Sequence, residues 1–162
     1  MDSITIASAS PADVPTILAM IRGLAEYERL SQQAVATEES IRASLFGPRP
    51  FAEVVLASSG STPVGFALFF HNFSTFLGRP GLYLEDLFVL PEWRGRGVGR
   101  RLLTHLASIA VERGCGRMEW AVLDWNESAI GFYRRLGAQM LDDWRICRLT
   151  GDALDRAAAL DG

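Results

Sequence analysis

Between positions 84 and 100 the chain reads Leu-Glu-Asp-Leu-Phe-Val-Leu-Pro-Glu-Trp-Arg-Gly-Arg-Gly-Val-Gly-Arg. Gly95, Gly97 and Gly99 let a main chain come close to a ligand. Arg94, Arg96 and Arg100 add cations. The stripe that follows, Val98, Leu102, Leu103, Leu106, Ile109 and Ala110, predicts a helix over 97–113. Its N-terminus offers unpaired N–H groups and a partial positive charge. A pyrophosphate suits such a place. A dinucleotide fingerprint does not fit: counted from Gly95 the third glycine position is Arg100, and counted from Gly97 it is Leu102. A triphosphate loop fails too. All 16 basic residues are Arg, and that loop needs its Lys. A Schiff-base Lys is excluded for the same reason.

The elements that must position this loop follow from periodicity. Residues 4–7 form a short first strand. Ser10, Pro11 and Asp13 open a helix carrying Val14, Ile17, Leu18, Ile21, Leu24 and Ala25 inward. Thr37 to Glu39 open a second helix, which Gly47 and Pro48 stop. Strands are expected at 51–57 and 64–70 as a hairpin, then a loop over 71–81 and a long strand over 82–90. Beyond the glycine loop come a strand at 117–123, a helix at 127–136 capped by Gly137, two short strands within 139–149, and a frayed helix at 152–160. The order implies an α/β fold with a mixed central sheet flanked by helices. A single domain over 1–162 is expected, with its core at about 4–155.

Composition narrows the classes. The chain has 162 residues, 49% hydrophobic and 22% charged, which is globular and not disordered. Its net charge of −3 argues against a nucleic-acid protein. The apolar runs fall far short of the ~20 residues that span a bilayer, so no membrane association is expected. The start, Met1-Asp2-Ser3, lacks a basic region before a long apolar core, so no signal peptide is expected. Cys115 and Cys147 lie far apart and in no metal-ligand spacing. The expectation is a reduced, cytoplasmic protein without a metal.

Arg94, Gly97 and Gly99 form Arg-x-x-Gly-x-Gly after a strand and before an amphipathic helix. This resembles the acetyl-CoA motif of the GCN5-related N-acetyltransferase (GNAT) superfamily. Tyr27-Glu28, Tyr83 to Asp86, Trp125 to Glu127, Phe132-Tyr133, Leu136 to Ala138 and Trp144-Arg145 extend the likeness over nearly the whole chain. They resemble the diamine (spermidine/spermine-type) branch. Asn72 to Gly78 and Val122 to Asn126 look closer to its thialysine-acetylating relatives.

The resemblance implies acetyl transfer from acetyl-CoA to a primary amine. It makes Glu85 the base, directly or through water, and Tyr133 the acid for the leaving sulfur. It assigns the cofactor to the strand Leu87, Phe88 and Val89, to Arg94, Gly95, Arg96, Gly97, Val98, Gly99 and Arg100, and to Asn126 and Tyr133. The strand would take the pantetheine arm as an added strand. Tyr27, Glu28, Glu85 and Asp142 would face the amine. It also implies a homodimer and a small-molecule acceptor. Plainer roles stand beside these: Glu85 paired with an Arg, Tyr133 burying its ring, Asn126 as a helix cap, Tyr27 and Glu28 as an exposed helix end, and Asp142-Asp143 as a hairpin tip. Strict alternation puts Glu85, Leu87 and Val89 on one strand face and Asp86 on the other. A peptide acetyltransferase, which would need an open groove where the 71–81 loop could instead cover the cleft, and an acyl-CoA sensor are the competing readings. A sensor needs neither Glu85 nor Tyr133.

Overall fold

The computed structural model describes residues 3–160. The chain divides into two compact units, Met1–Ala121 and Val122–Gly162.

The first unit holds a sheet of five strands in the order β1 to β5. These are β1 (Ile4–Ser8), β2 (Glu53–Ser59), β3 (Thr62–Ser74), β4 (Arg79–Val89) and β5 (Arg117–Trp120). The first four pair antiparallel, and β5 lies parallel to β4. The expected first helix is α1 (Val14–Tyr27), entered through a 3-10 turn at Pro11–Asp13. The Ser10 N–H donates to Asp13 Oδ2 at 2.8 Å, as the capping pattern requires. The second helix, α2 (Glu38–Phe46), is capped by Thr37, whose Oγ1 accepts from the Ser40 N–H at 3.1 Å. The glycine loop leads into α3 (Val98–Glu112), which ends at Gly114 in the left-handed region, φ 70°.

Each face of the sheet has its own layer. Val14, Ile17 and Met20 of α1 and Ile41 and Leu45 of α2 pack with Val54, Leu56, Phe66 and Phe88. The stripe of α3 buries Val98, Leu102, Leu103, Leu106 and Ala110. Added side-chain atoms at Gly65 and Gly99 would meet Leu102, and Leu87 and Val89, which puts those strand positions on the α3 side.

Two expectations about the sheet are corrected. The stretch 71–81 is not a loop. Strands β3 and β4 run through it as a long hairpin, with only 75–78 as the turn. Polar residues such as Asn72 and Ser74 suggest a loop, yet they occupy ladder positions opposite Gly81 and Arg79. This hairpin leaves no long loop at 71–81 to bear on a cleft.

The second correction concerns alternation along β4. Leu84 pairs with Phe69 and Asp86 with Leu68, so Glu85 is an extra residue with no partner on β3. It is a β-bulge. Cross-strand partners share a face. Leu84 therefore points with Phe69, whose ring lies 5.7 Å from the Arg113 guanidinium just past α3. Asp86 points with Leu68, which packs on the α1–α2 core. The bulge thus shifts the phase of the strand. Leu84, Leu87 and Val89 face α3, whereas Asp86 and Phe88 face α1. Glu85 does not share a simple alternating face with Leu87 and Val89.

In the second unit, α4 (Glu127–Arg135) ends at Leu136 and Gly137, whose φ of 95° marks the left-handed cap. A further helix, α5 (Gly151–Ala158), stands near the place expected. The two strands expected within 139–149 are not formed among the described residues. A turn at Asp142-Asp143 is closed by the Trp144 N–H on the Leu141 carbonyl, 3.2 Å. The stretch has apolar residues at strand-like intervals, but a strand needs a neighbouring ladder, and none pairs with it among the described residues.

Candidate active site

The parallel ladder between β4 and β5 runs from Gly81 with Arg117 to Leu84 with Trp120. From Glu85 to Val89, β4 keeps β3 on one side and has no ladder on the other among the described residues. That stretch is an open strand edge with donors and acceptors to offer an extended ligand. It contains three of the residues expected to hold the cofactor: Leu87, Phe88 and Val89.

The edge leads into a 3-10 turn (Pro91–Trp93) and then the glycine loop. Gly95 and Gly97 adopt φ 74° and φ 80°, a region that disfavours side-chain-bearing residues. Gly97 is the N-cap of α3. Val98 is 1% exposed and anchors the helix start in the core. An alanine Cβ at Gly99 would make only ordinary contacts, 3.7 Å from Leu87 and Val89. The guanidinium of Arg96 lies 4.8 Å from the Trp93 ring centroid, and Arg100 is exposed on the first turn of α3. The loop thus joins unpaired helix N–H groups to nearby cations.

Arg94 sits differently from its neighbours. Its Nε donates to the Val89 carbonyl at 3.1 Å. Its guanidinium lies 4.5 Å over the Tyr27 ring and 5.5 Å from the Phe88 ring. Tyr27 closes α1 and Glu28 is its C-cap. Phe88 reaches that helix because Gly23 has no side chain: a Cβ there would stand 2.8 Å from the Phe88 ring.

Asp86 faces α1, and Glu28 is the C-cap of that helix. Burial, then the charges of Glu85 and Glu28, push the Asp86 carboxyl up to about 6. Burial also raises Glu28 above the usual carboxylate range. Burial and the charges of Glu85 and Glu119 raise the Tyr83 phenol. An ammonium ion beside Asp86 would relieve the repulsion that this carboxylate feels from Glu85 and Glu28. Asp86 is the residue that the resemblance passed over in favour of Glu85. The signal was there, two adjacent carboxylates in an apolar strand, and the regular register of 86–89 keeps Asp86 on the face opposite Leu87 and Val89, on the side of α1.

In the second unit, Asn126 acts as the N-cap of α4, its Oδ1 accepting from the Ala129 N–H at 3.3 Å. Tyr133 stands on α4 with its ring 5.5 Å from that of Phe132. Asp142 and Asp143 are exposed. Among the described residues, no group of three or more His, Cys, Asp or Glu is arranged to hold a metal ion, and no helix is long and apolar enough to cross a membrane.

Residues 19–138 match the model of the acetyltransferase (GNAT) family. The chain is 40% identical to the thialysine N-epsilon-acetyltransferase of Sus scrofa, over 98% of this chain and 99% of that one. It is 38% identical to an L-ornithine N5-acetyltransferase of Arabidopsis thaliana, over 90% of this chain and 84% of the relative. Among solved structures, an integron cassette protein from the V. cholerae mobile metagenome superposes with a TM-score of 0.83. It is 26% identical, over 99% of each chain.

Proposed function

Because the chain belongs to the GNAT family of acetyltransferases, we propose that it moves the acetyl group of acetyl-CoA to a primary amine of a small lysine-like or polyamine-like molecule. The observation that carries this is the open edge of β4 running into the glycine loop, with Glu85, Asp86 and Glu28 close by. The relatives named for thialysine and ornithine favour an amino-acid acceptor over a polyamine.

The residues fit the co-substrate. The main chain of Leu87 to Val89 would hold an extended arm by strand addition. The N–H groups from Gly95 to Gly99, with Arg96 and Arg100, would hold a pyrophosphate. When bound, acetyl-CoA supplies the thioester whose C–S bond breaks as the C–N bond to the amine forms. The amine, with an ordinary pKa near 10.4, arrives protonated. Asp86, Glu28 and Tyr27 would bind and orient the ammonium, with Asp142 as a further acidic residue for the acceptor. Glu85 would take its proton, directly or through water. Tyr133 would hold the proton that the departing sulfur receives. Asn126 would steady the cofactor arm. A homodimer working in a reducing cytoplasm completes the proposal.

The test is thiol release from acetyl-CoA with aminoethylcysteine, ornithine, lysine, spermidine, putrescine and an N-terminal peptide as acceptors. Turnover is expected on the amino acids first. Turnover on the peptide alone would overturn the small-molecule reading. In Tyr133→Phe, CoA binding should persist while turnover falls about 10²- to 10⁴-fold. Full turnover in that variant would remove Tyr133 from the mechanism.

A further inference from the structure

We propose that the Arg94 side chain is a positioning residue through which Tyr27, at the end of α1, sets the affinity of the cofactor loop. The inference rests on the reading of that loop as the CoA site. It departs from the simpler assignment of Arg94 as a cation for phosphate.

The loop cannot hold itself. Gly95 and Gly97 are exposed, have no side chains and sit at positive φ. Glycines lose the most conformational freedom on ordering. What fixes the loop must therefore flank it. On the helix side that is Val98, buried in the core. On the strand side it is Arg94, the residue just before the first glycine. Its hydrogen bond to the Val89 carbonyl closes the corner between β4 and the loop. That bond uses one edge of the side chain, and the face of the guanidinium rests on Tyr27.

The seat under Arg94 is itself rigid. Phe88 lies between the strand and α1, pressed against Gly23, and fixes the distance between them. Tyr27 sits one turn further along the same helix. Tyr27 is 38% exposed, so it meets solvent as well as the guanidinium. A contact of this kind, at a partly exposed site, contributes about 0.5–1 kcal/mol. In a loop built on glycine, a change of that size alters how often the N–H groups are presented correctly. Residues expected to meet the amine would thereby govern the site expected to meet the nucleotide.

The experiment is calorimetric titration of CoA, with no amine present, into the wild type, Tyr27→Leu, Tyr27→Phe, Arg94→Gln and the Tyr27→Leu/Arg94→Gln pair. Tyr27→Leu is expected to bind CoA about two- to fivefold more weakly. Tyr27→Phe keeps the ring and should bind as the wild type does. Arg94→Gln should lose at least as much as Tyr27→Leu, and adding Tyr27→Leu to it should cost nothing more. Melting curves establish that each variant is folded, and Tyr27→Met serves in place of Tyr27→Leu if that one is not. Wild-type affinity in Tyr27→Leu overturns the inference, as do losses that multiply in the pair, the pattern expected if Arg94 contacts phosphate directly. A wild type that binds no CoA overturns the reading of the loop, and this inference with it.

Discussion

The two halves of β4 do different work on one strand. From Gly81 to Leu84 it has neighbours on both sides, and Leu82 and Leu84 are buried. From Asp86 to Val89 it has β3 on one side and, among the described residues, no ladder on the other. Between them lies one inserted residue, Glu85. The inner half is scaffold, and its side chains answer to packing. The outer half presents a main-chain edge and two carboxylates, while Phe88 still packs into the core. A single bulge changes the strand from one role to the other without a loop between them, so the site inherits the rigidity of the sheet.

Three substitutions probe this division. Glu85→Gln tests the outer half. Turnover should fall about 10²- to 10⁴-fold, while the melting temperature stays near that of the wild type because the side chain is exposed. Steady-state kinetics alongside thermal melts decide it, and a large loss of stability with little loss of rate would reverse the roles given to the two halves. Leu84→Ala tests the inner half. The side chain is 2% exposed, so urea unfolding should show a loss of about 2–5 kcal/mol. A loss below ~1 kcal/mol would show that packing there is loose.

The third, Asp86→Asn, crosses the boundary. The Asp86 carboxyl is raised from 3.8 to about 6 in the folded chain. Between those values the native state binds more protons than the unfolded one, so this group makes stability fall as pH rises. Above pH 6 the destabilisation is complete, and below pH 4 it is absent. Asp86→Asn should therefore be about 2–3 kcal/mol more stable than the wild type at pH 7.5 and equal to it near pH 3.5. It should also raise KM for the amine. A pH-independent difference in stability would show that the carboxylate is not strained.

Much of this was legible in the residues. The stripes of α1 and α3 and the caps at Ser10 and Thr37 fixed those helices, because helix periodicity and capping are local. The glycine-arginine loop was equally plain. The bulge was not, since one inserted residue leaves no local mark and shows itself only as a shift in pairing. With it went the phase between Leu84 and Leu87, which share a face three residues apart. The 71–81 hairpin was hidden for a related reason: its polar residues look like a loop until both strands are aligned. The contact of Arg94 with Tyr27 joins positions far apart in sequence, and no motif announces it.

An open strand edge has a second side to its character. Any extended chain can hydrogen-bond to it, including another copy's strand, and such edges seed aggregation unless something discourages docking. Between turnovers the Glu85 to Val89 edge is a template of this kind. Glu85 is exposed at the point where the ladder to β5 stops, so a foreign strand would have to bring its backbone against a polar acidic side chain. The same side chain proposed to take a proton from the amine would thus also discourage edge-to-edge docking.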